Sequence, residues 1–205
     1  MKLFKKVLAA ALAGVLALSV LTGCNNSNSV ATVKMLDALN DWAKVYSMDT
    51  TFKKGNEDLQ RQVNALVEIV NEAGKDISSE DAKDLEGAYN AVMKNEAARL
   101  KLGAWAAQFK KANIGDGSPL YECGFADISA TLSASSSKNI YYAGQLMTSI
   151  GPINAPDTKW DNGEPNWTVG DKCYVAVATC EVGGKKYMVA LFQTTAVANP
   201  EYNKD

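Results

Sequence analysis

The residues of this chain best equipped for covalent chemistry are four cysteines, at positions 24, 123, 173 and 180. Histidine is absent from all 205 residues. That excludes Ser-His-Asp and Cys-His nucleophilic systems, HExxH zinc sites and any metal centre that needs imidazole. There is no Walker A loop, GxGxxG or CxxC. A thiol with no histidine to activate it is a weak nucleophile, so the pattern predicts no catalytic residue, no cofactor and no metal. Carboxylates remain. Between Gly151 and Asp171 lie Asp157, Asp161, Asn162, Glu164 and Asn166 with Trp160 and Trp167, among prolines at 152, 156 and 165. Besides a plain loop pinned by its tryptophans, two readings fit. Flat indole faces rimmed by Asp and Asn suit a sugar or peptide, with Trp160, Trp167, Asp161 and Glu164 as contacts. Asp161 and Glu164 also have the residue types for glycoside hydrolysis by paired carboxylates. An EF-hand calcium loop does not fit, because Lys159 fills a ligand position and Gly163 comes one place late.

Cys24 belongs to another pattern. Lys2, Lys5 and Lys6 precede an apolar run from Val7 to Leu21, and small residues then lead to the thiol. Basic, apolar and small segments in that order form a secretion signal. The run has 15 positions, including Gly14 and Ser19. A permanent span wants about 20 apolar residues, so an uncleaved anchor or a buried helix is the weaker reading. The stretch Leu21-Thr22-Gly23-Cys24 resembles the lipobox of bacterial lipoproteins. The resemblance implies cleavage before Cys24, acylation of that residue, and residence on the cell membrane facing away from the cytoplasm. Two acyl chains suffice for stable anchoring.

Removing residues 1–23 leaves 182, enough for one domain with a real core. Three of the 21 basic residues go with the leader, so 18 remain against 23 acidic ones, a net charge of −5. Such a surface repels nucleic acid rather than gathering it. The expected partners are the membrane, met through acyl chains, and a glycan or peptide ligand.

The chain divides into a signal peptide (1–23), a lipidated cysteine with a flexible polar tether (24–32), a helical region (33–112) and a β-rich region (113–205) forming one domain with the helices. Met35, Leu36, Leu39, Trp42, Ala43 and Tyr46 share one helical face and predict a first helix from Val33 to Ser47. Residues 49–56 read as a turn. Leu59, Val63, Leu66, Val67, Val70 and Ala73 predict a second helix, with Gly74 as its stop. Ser78 and Asp81 offer a capping box for a third helix running to Lys111. Its main stripe is Leu85, Tyr89, Val92, Met93, Ala97, Leu100 and Ala104. A second stripe, Ala98, Leu102, Trp105 and Phe109, predicts burial on two sides, and Gly87 or Gly103 is a place for a bend or split.

Beyond a turn cluster at 115–119, Tyr121, Cys123 and Phe125 alternate, and Ile128, Ala130 and Leu132 continue on the other parity. That shift predicts a bulge near Ala126–Asp127 or two short strands. Residues 133–137 read as a serine loop and Ile140–Ile150 as a helix. The strongest β signal is a C-terminal hairpin, 173–182 and 185–195, turning at Gly183-Gly184. That loop pairs Val182 with Lys185, Glu181 with Lys186, Cys180 with Tyr187 and Val175 with Phe192. Both strands are apolar on both faces, which predicts a central position under helices. Cys173 and Cys180, seven apart in one strand, point to opposite faces about 23 Å from each other. Cys123 is left to pair with Cys173 or Cys180, or all three are small core residues.

Residues 100–111 running into 115–119, and the strands Tyr174–Ala178 and Tyr187–Phe192, resemble the cleft helix and closing strand pair of bacterial CAP-type (SCP-like) domains. The resemblance covers residues 100–195 and implies an α-β-α sandwich with an extracellular binding role. The family's cleft histidines have no counterpart here, so no functional residue carries over. The expected fold class is α+β, about three N-terminal helices on a C-terminal antiparallel sheet. The leading functional expectation is a membrane-anchored, non-catalytic binding domain at the cell envelope. The alternatives are a carboxylate-dependent glycan hydrolase and a structural envelope component acting through its helices.

Overall fold

Strands that are apolar on both faces need cover on both sides, and the helices supply it. The computed structural model describes residues 27–110, 116–129, 138–154 and 158–202. Cys24, Asp157 and the expected serine loop lie outside them. In chain order the elements are α1 (Ser27–Val45), β1 (Thr51–Lys54), α2 (Glu57–Gly74), α3 (Leu85–Lys94), α4 (Glu96–Ala107), β2 (Pro119–Asp127), α5 (Lys138–Thr148), β3 (Gly151–Asn154), β4 (Trp160–Asp161), β5 (Glu164–Pro165), β6 (Trp167–Val169), β7 (Lys172–Val182) and β8 (Lys185–Ala198). The main sheet runs β1-β7-β8-β2-β3, with β6 pairing the far end of β8. Helices α2, α3 and α4 pack on one face, α1 and α5 on the other. The class is α+β, and the layers are helix, sheet, helix.

The central hairpin has the register its sequence demands. Gly183 and Gly184 take φ of 58° and 78°, and Val182 meets Lys185, Glu181 meets Lys186, Cys180 meets Tyr187 and Val175 meets Phe192. Val175, Val189, Ala190, Leu191 and Phe192 are wholly buried. Even-numbered β7 residues such as Ala176, Ala178 and Cys180 face α2, and Cys173, Val175 and Val177 face α1 and α5. Gly74 ends α2, but not through a left-handed cap, since Lys75 is right-handed helical. A Cβ on Gly74 would run into the Glu181 carbonyl oxygen. Glycine lets the helix end touch β7.

Several expectations are corrected. Residues 25–32 are not a tether throughout, because α1 begins at Ser27. The expected turn at 49–56 contains β1, which pairs parallel with β7, so the helical region contributes a strand and the sheet is mixed. Phe52 is the one buried side chain of β1. The strand is pinned by Asn40, whose Nδ2 donates to the Phe52 carbonyl and whose Oδ1 accepts from the Phe52 amide, both at 2.9 Å. No bulge interrupts β2 at Ala126–Asp127, where pairing with β8 is continuous. The irregularity lies at Tyr121/Glu122, against β3.

The expected third helix is two. Asn95 is extended (φ −72°, ψ 108°), and its side chain accepts from the Ala98 amide at 3.1 Å, capping α4. The Ser78–Asp81 hydrogen bonds form, but they close a turn, and α3 starts on Asp84, whose carboxylate accepts from the Gly87 amide at 2.7 Å. The break at Asn95 resets the helical phase. Ala97, Leu100 and Ala104 of the expected main stripe are exposed, whereas Ala98, Trp105 and Phe109 are buried.

Candidate functional site

The tryptophan segment is built on a hairpin. Asn162 and Gly163 take φ of 49° and 84°, the pair of positive angles that a two-residue type I′ turn requires. Trp160 then pairs with Pro165 and Asp161 with Glu164. Asn199 holds the hairpin to the end of β8, its Nδ2 donating to the Pro165 carbonyl at 2.7 Å and to Glu164 Oε2 at 3.4 Å. Trp160 is 63% exposed. Trp167 is half-buried in β6, opposite Ala198, and its indole N–H finds no acceptor among the described residues. Alternation of side chains puts Asp161 and Glu164 together on one side of β4–β5 and Trp160 on the other. The two carboxylates and the exposed indole therefore do not converge. What the hairpin presents is a single flat indole face.

Among the described residues the three thiols, of Cys123, Cys173 and Cys180, are free. Cys173 lies on the α1/α5 side and Cys180 on the α2 side, as seven-residue spacing requires. Cys123, on β2, is level with Leu191, and Cys180, on β7, is level with Tyr187. Strand β8 runs between them, a lateral separation of about 9–10 Å. A disulfide wants Cα atoms within about 7 Å. The expected pairing of Cys123 with Cys180 is therefore not made, and pairing with Cys173 is blocked by the sheet itself. Burial pushes the Cys123 and Cys180 thiols up to about 12, and that of Cys173 higher still. All three are neutral thiols at physiological pH, poor nucleophiles and poor metal ligands. Among the described residues no group of three His, Cys, Asp or Glu side chains is placed to hold a metal.

A large concavity among the described residues lies under α3 and α4. Helix α4 is fixed to α2 by Trp105, whose Nε1 donates to the Gln62 carbonyl at 3.1 Å, and by an exposed Lys101–Glu72 ion pair at 2.7 Å. The hydrogen bond and charge of Lys101 hold Glu72 below the usual carboxylate range. The end of α4 and the residues just beyond it meet β2 through rings in tilted, edge-on contact, Trp105 with Phe109 at 4.9 Å and Phe109 with Tyr121 at 4.7 Å. The elbow at Asn95 leaves α3 against β2 and sends α4 across α2. What remains between the helices and the sheet is a cleft of about 820 Å³.

Val92, Met93, Leu102 and Trp105 form its roof, Cys123, Phe125 and Ile153 its floor, and Leu66, Val70, Cys180 and Val182 its back. Its inner polar atoms are already occupied. Ser149 Oγ accepts from the Phe125 amide and donates to the Phe125 carbonyl, both at 2.7 Å, and Tyr187 Oη donates to the Ala82 carbonyl at 3.2 Å. Burial raises the Tyr187 hydroxyl to about 12, so it stays protonated. The charged lining residues are Glu86 and Arg99, both exposed. A cavity of this size and character suits an apolar small molecule. Its interior leaves few polar atoms for a sugar, because Ser149 and Tyr187 are spent on backbone partners.

Trp160, Trp167, Asp161 and Glu164 do not line this cleft. Sequence reasoning placed Leu85, Val92, Met93 and Leu102 in a packed core, because a stripe facing a cavity has the same spacing as one facing side chains. Comparison with protein-family models, with curated proteins and with solved structures gives no match.

Proposed function

We propose that the protein is a bacterial lipoprotein, held through acylated Cys24 on the outer side of the cell membrane, whose domain binds an apolar ligand in the α3–α4 cleft. The observation that carries the binding half is the cleft itself, about 820 Å³ with mostly apolar walls and with the Ser149 and Tyr187 hydroxyls satisfied within the protein. The lipobox-like Leu21-Thr22-Gly23-Cys24 carries the tether. None of the helices among the described residues is long and apolar enough to cross a membrane. The likeness to CAP-type domains is kept in this proposal at the level of layers alone, helices on both faces of a sheet centred on one hairpin.

The test is photolabelling of the full-length protein, reconstituted in nanodiscs, with a long-chain alcohol bearing a diazirine, followed by peptide mass mapping. Adducts on peptides carrying Val92, Leu102 and Cys123, together with an acyl mass on Cys24, are expected. Adducts elsewhere alone would remove the cleft from the function, and an intact Met1 would remove the tether.

A second reading is favoured by the 63% exposure of Trp160: the β4–β5 hairpin docks on a glycan or peptide through one indole face. Trp160→Ala is then expected to weaken retention on peptidoglycan while leaving cleft labelling unchanged. Unaltered retention would dismiss the hairpin.

A further inference from the structure

Resting on the cleft-binding reading above, we propose that the ligand is a single-chain anionic amphiphile, a long-chain carboxylate whose tail fills the cleft and whose head pairs with Arg99. Hydrocarbon is what the interior can accept, because Ser149, Tyr187 and Trp105 already spend their polar atoms on backbone partners. A polar end must therefore stay at the rim. There the charged groups are Arg99, at the start of α4, and Glu86, in the first turn of α3. They differ in what already serves them. Glu86 lies where the helix N-terminus favours negative charge. Arg99 makes no side-chain hydrogen bond or ion pair among the described residues, whereas Arg61 pairs with Asp58 and Lys101 with Glu72. A planar guanidinium at an apolar mouth matches a carboxylate in both geometry and charge.

Gly103 adds an independent observation. It lines the cleft in the middle of α4, and a Cβ built on it meets no atom within 4 Å. Glycine there weakens the helix relative to alanine without relieving any contact. What it does is leave the cleft wall open at that point.

The experiment compares three diazirine probes of equal chain length, a carboxylate, an alcohol and a trimethylammonium, on the full-length protein in zwitterionic nanodiscs. The carboxylate is expected to label the peptides carrying Val92, Leu102 and Cys123 about fivefold more than the alcohol. Arg99→Ala, a surface change, is expected to bring it down to the alcohol's level. Gly103→Leu is expected to abolish cleft labelling by all three while circular dichroism stays native. Equal labelling by the three probes would overturn the head-group assignment and leave the apolar cleft standing. Preference for the ammonium would move the head to Glu86 and overturn it equally. No cleft labelling by any probe would overturn the underlying reading as well.

Discussion

The two faces of the sheet are closed in different ways. On the α1/α5 side, Leu39, Leu146 and Phe192 are wholly buried, and α5 lies so near β2 that a Cβ on Gly124 would come within 2.5 Å of the Leu146 carbonyl oxygen. On the other side α2 seals β7 and β8 as tightly, with Val63 and Leu191 wholly buried, yet α3 and α4 leave β2 and β3 half-covered. Tyr121, Cys123, Phe125 and Ile153 are only partly buried there. The same amphipathic spacing therefore yields a sealed core over α5 and a cavity under α3–α4. What differs is the backbone path. At one extended residue, Asn95, the chain turns from α3, which touches β2, into α4, which packs on α2 and α3 rather than on the strands.

That contrast can be broken first with large-to-small changes. Leu146→Ala on the sealed side is expected to destabilise by about 3–4 kcal/mol, and Leu102→Ala on the cleft roof by about 1 kcal/mol or less, since its neighbours already border a void. Urea denaturation measures both, and equal losses would mean that the cleft collapses in solution. A pair of glycines sharpens the point through opposite signs. Gly124→Ala is expected to cost about 1–3 kcal/mol by overpacking, while Gly103→Ala is expected to stabilise by about 0.5–1 kcal/mol. Shifts of the same sign in a thermal melt would contradict the difference in closure.

Thiol chemistry offers a milder probe. Cys123, in the cleft, is expected to react with a maleimide in the native state much faster than Cys173 on the sealed side. Its rate should keep rising with pH past the ordinary thiol range, because burial raises its pKa to about 12. A plateau near pH 9 would mean a water-filled cleft. The smallest effect is expected at Glu122, a β2 residue half-buried on the α1/α5 side, whose carboxyl burial pushes up. A folded-state pKa above the unfolded value favours folding at low pH and loses that contribution as pH rises through the folded pKa. Glu122→Gln should therefore raise Tm slightly at pH 7, with the gain vanishing below about pH 4. A gain that persists in acid would trace to packing instead.

Parts of this architecture are legible in the sequence. The hairpin register followed from two glycines and one charge pair, because a two-residue loop leaves no freedom in what faces what. The opposite facing of Cys173 and Cys180 followed from strand parity alone. Helix α2 was equally plain, since one uninterrupted stripe meets one sheet face. Strand β1 was not, because only Phe52 of its four residues is buried and its partner strand lies over a hundred residues away. The split at Asn95 carried a signal in an N-capping side chain followed by Glu96, but the apolar stripe continued past it and masked the change of phase. The Asn162-Gly163 turn also has a sequence mark, but the strands it joins are only two residues long and show no alternation. A cavity has no such mark. Whether two apolar faces touch or stand apart is decided by chain geometry between them, not by the residues on either one.

The early start of α1 sets how the domain meets its surroundings. With Cys24 acylated as proposed, Asn25 and Asn26 are all that separate the anchored residue from a helix docked against the sheet. Three backbone steps span at most about 11 Å. Under that proposal, so short a leash would keep the body near the bilayer surface, free to swivel and diffuse in two dimensions. Whatever it picked up would then travel along that plane, with molecules shed by the membrane itself as the nearest supply.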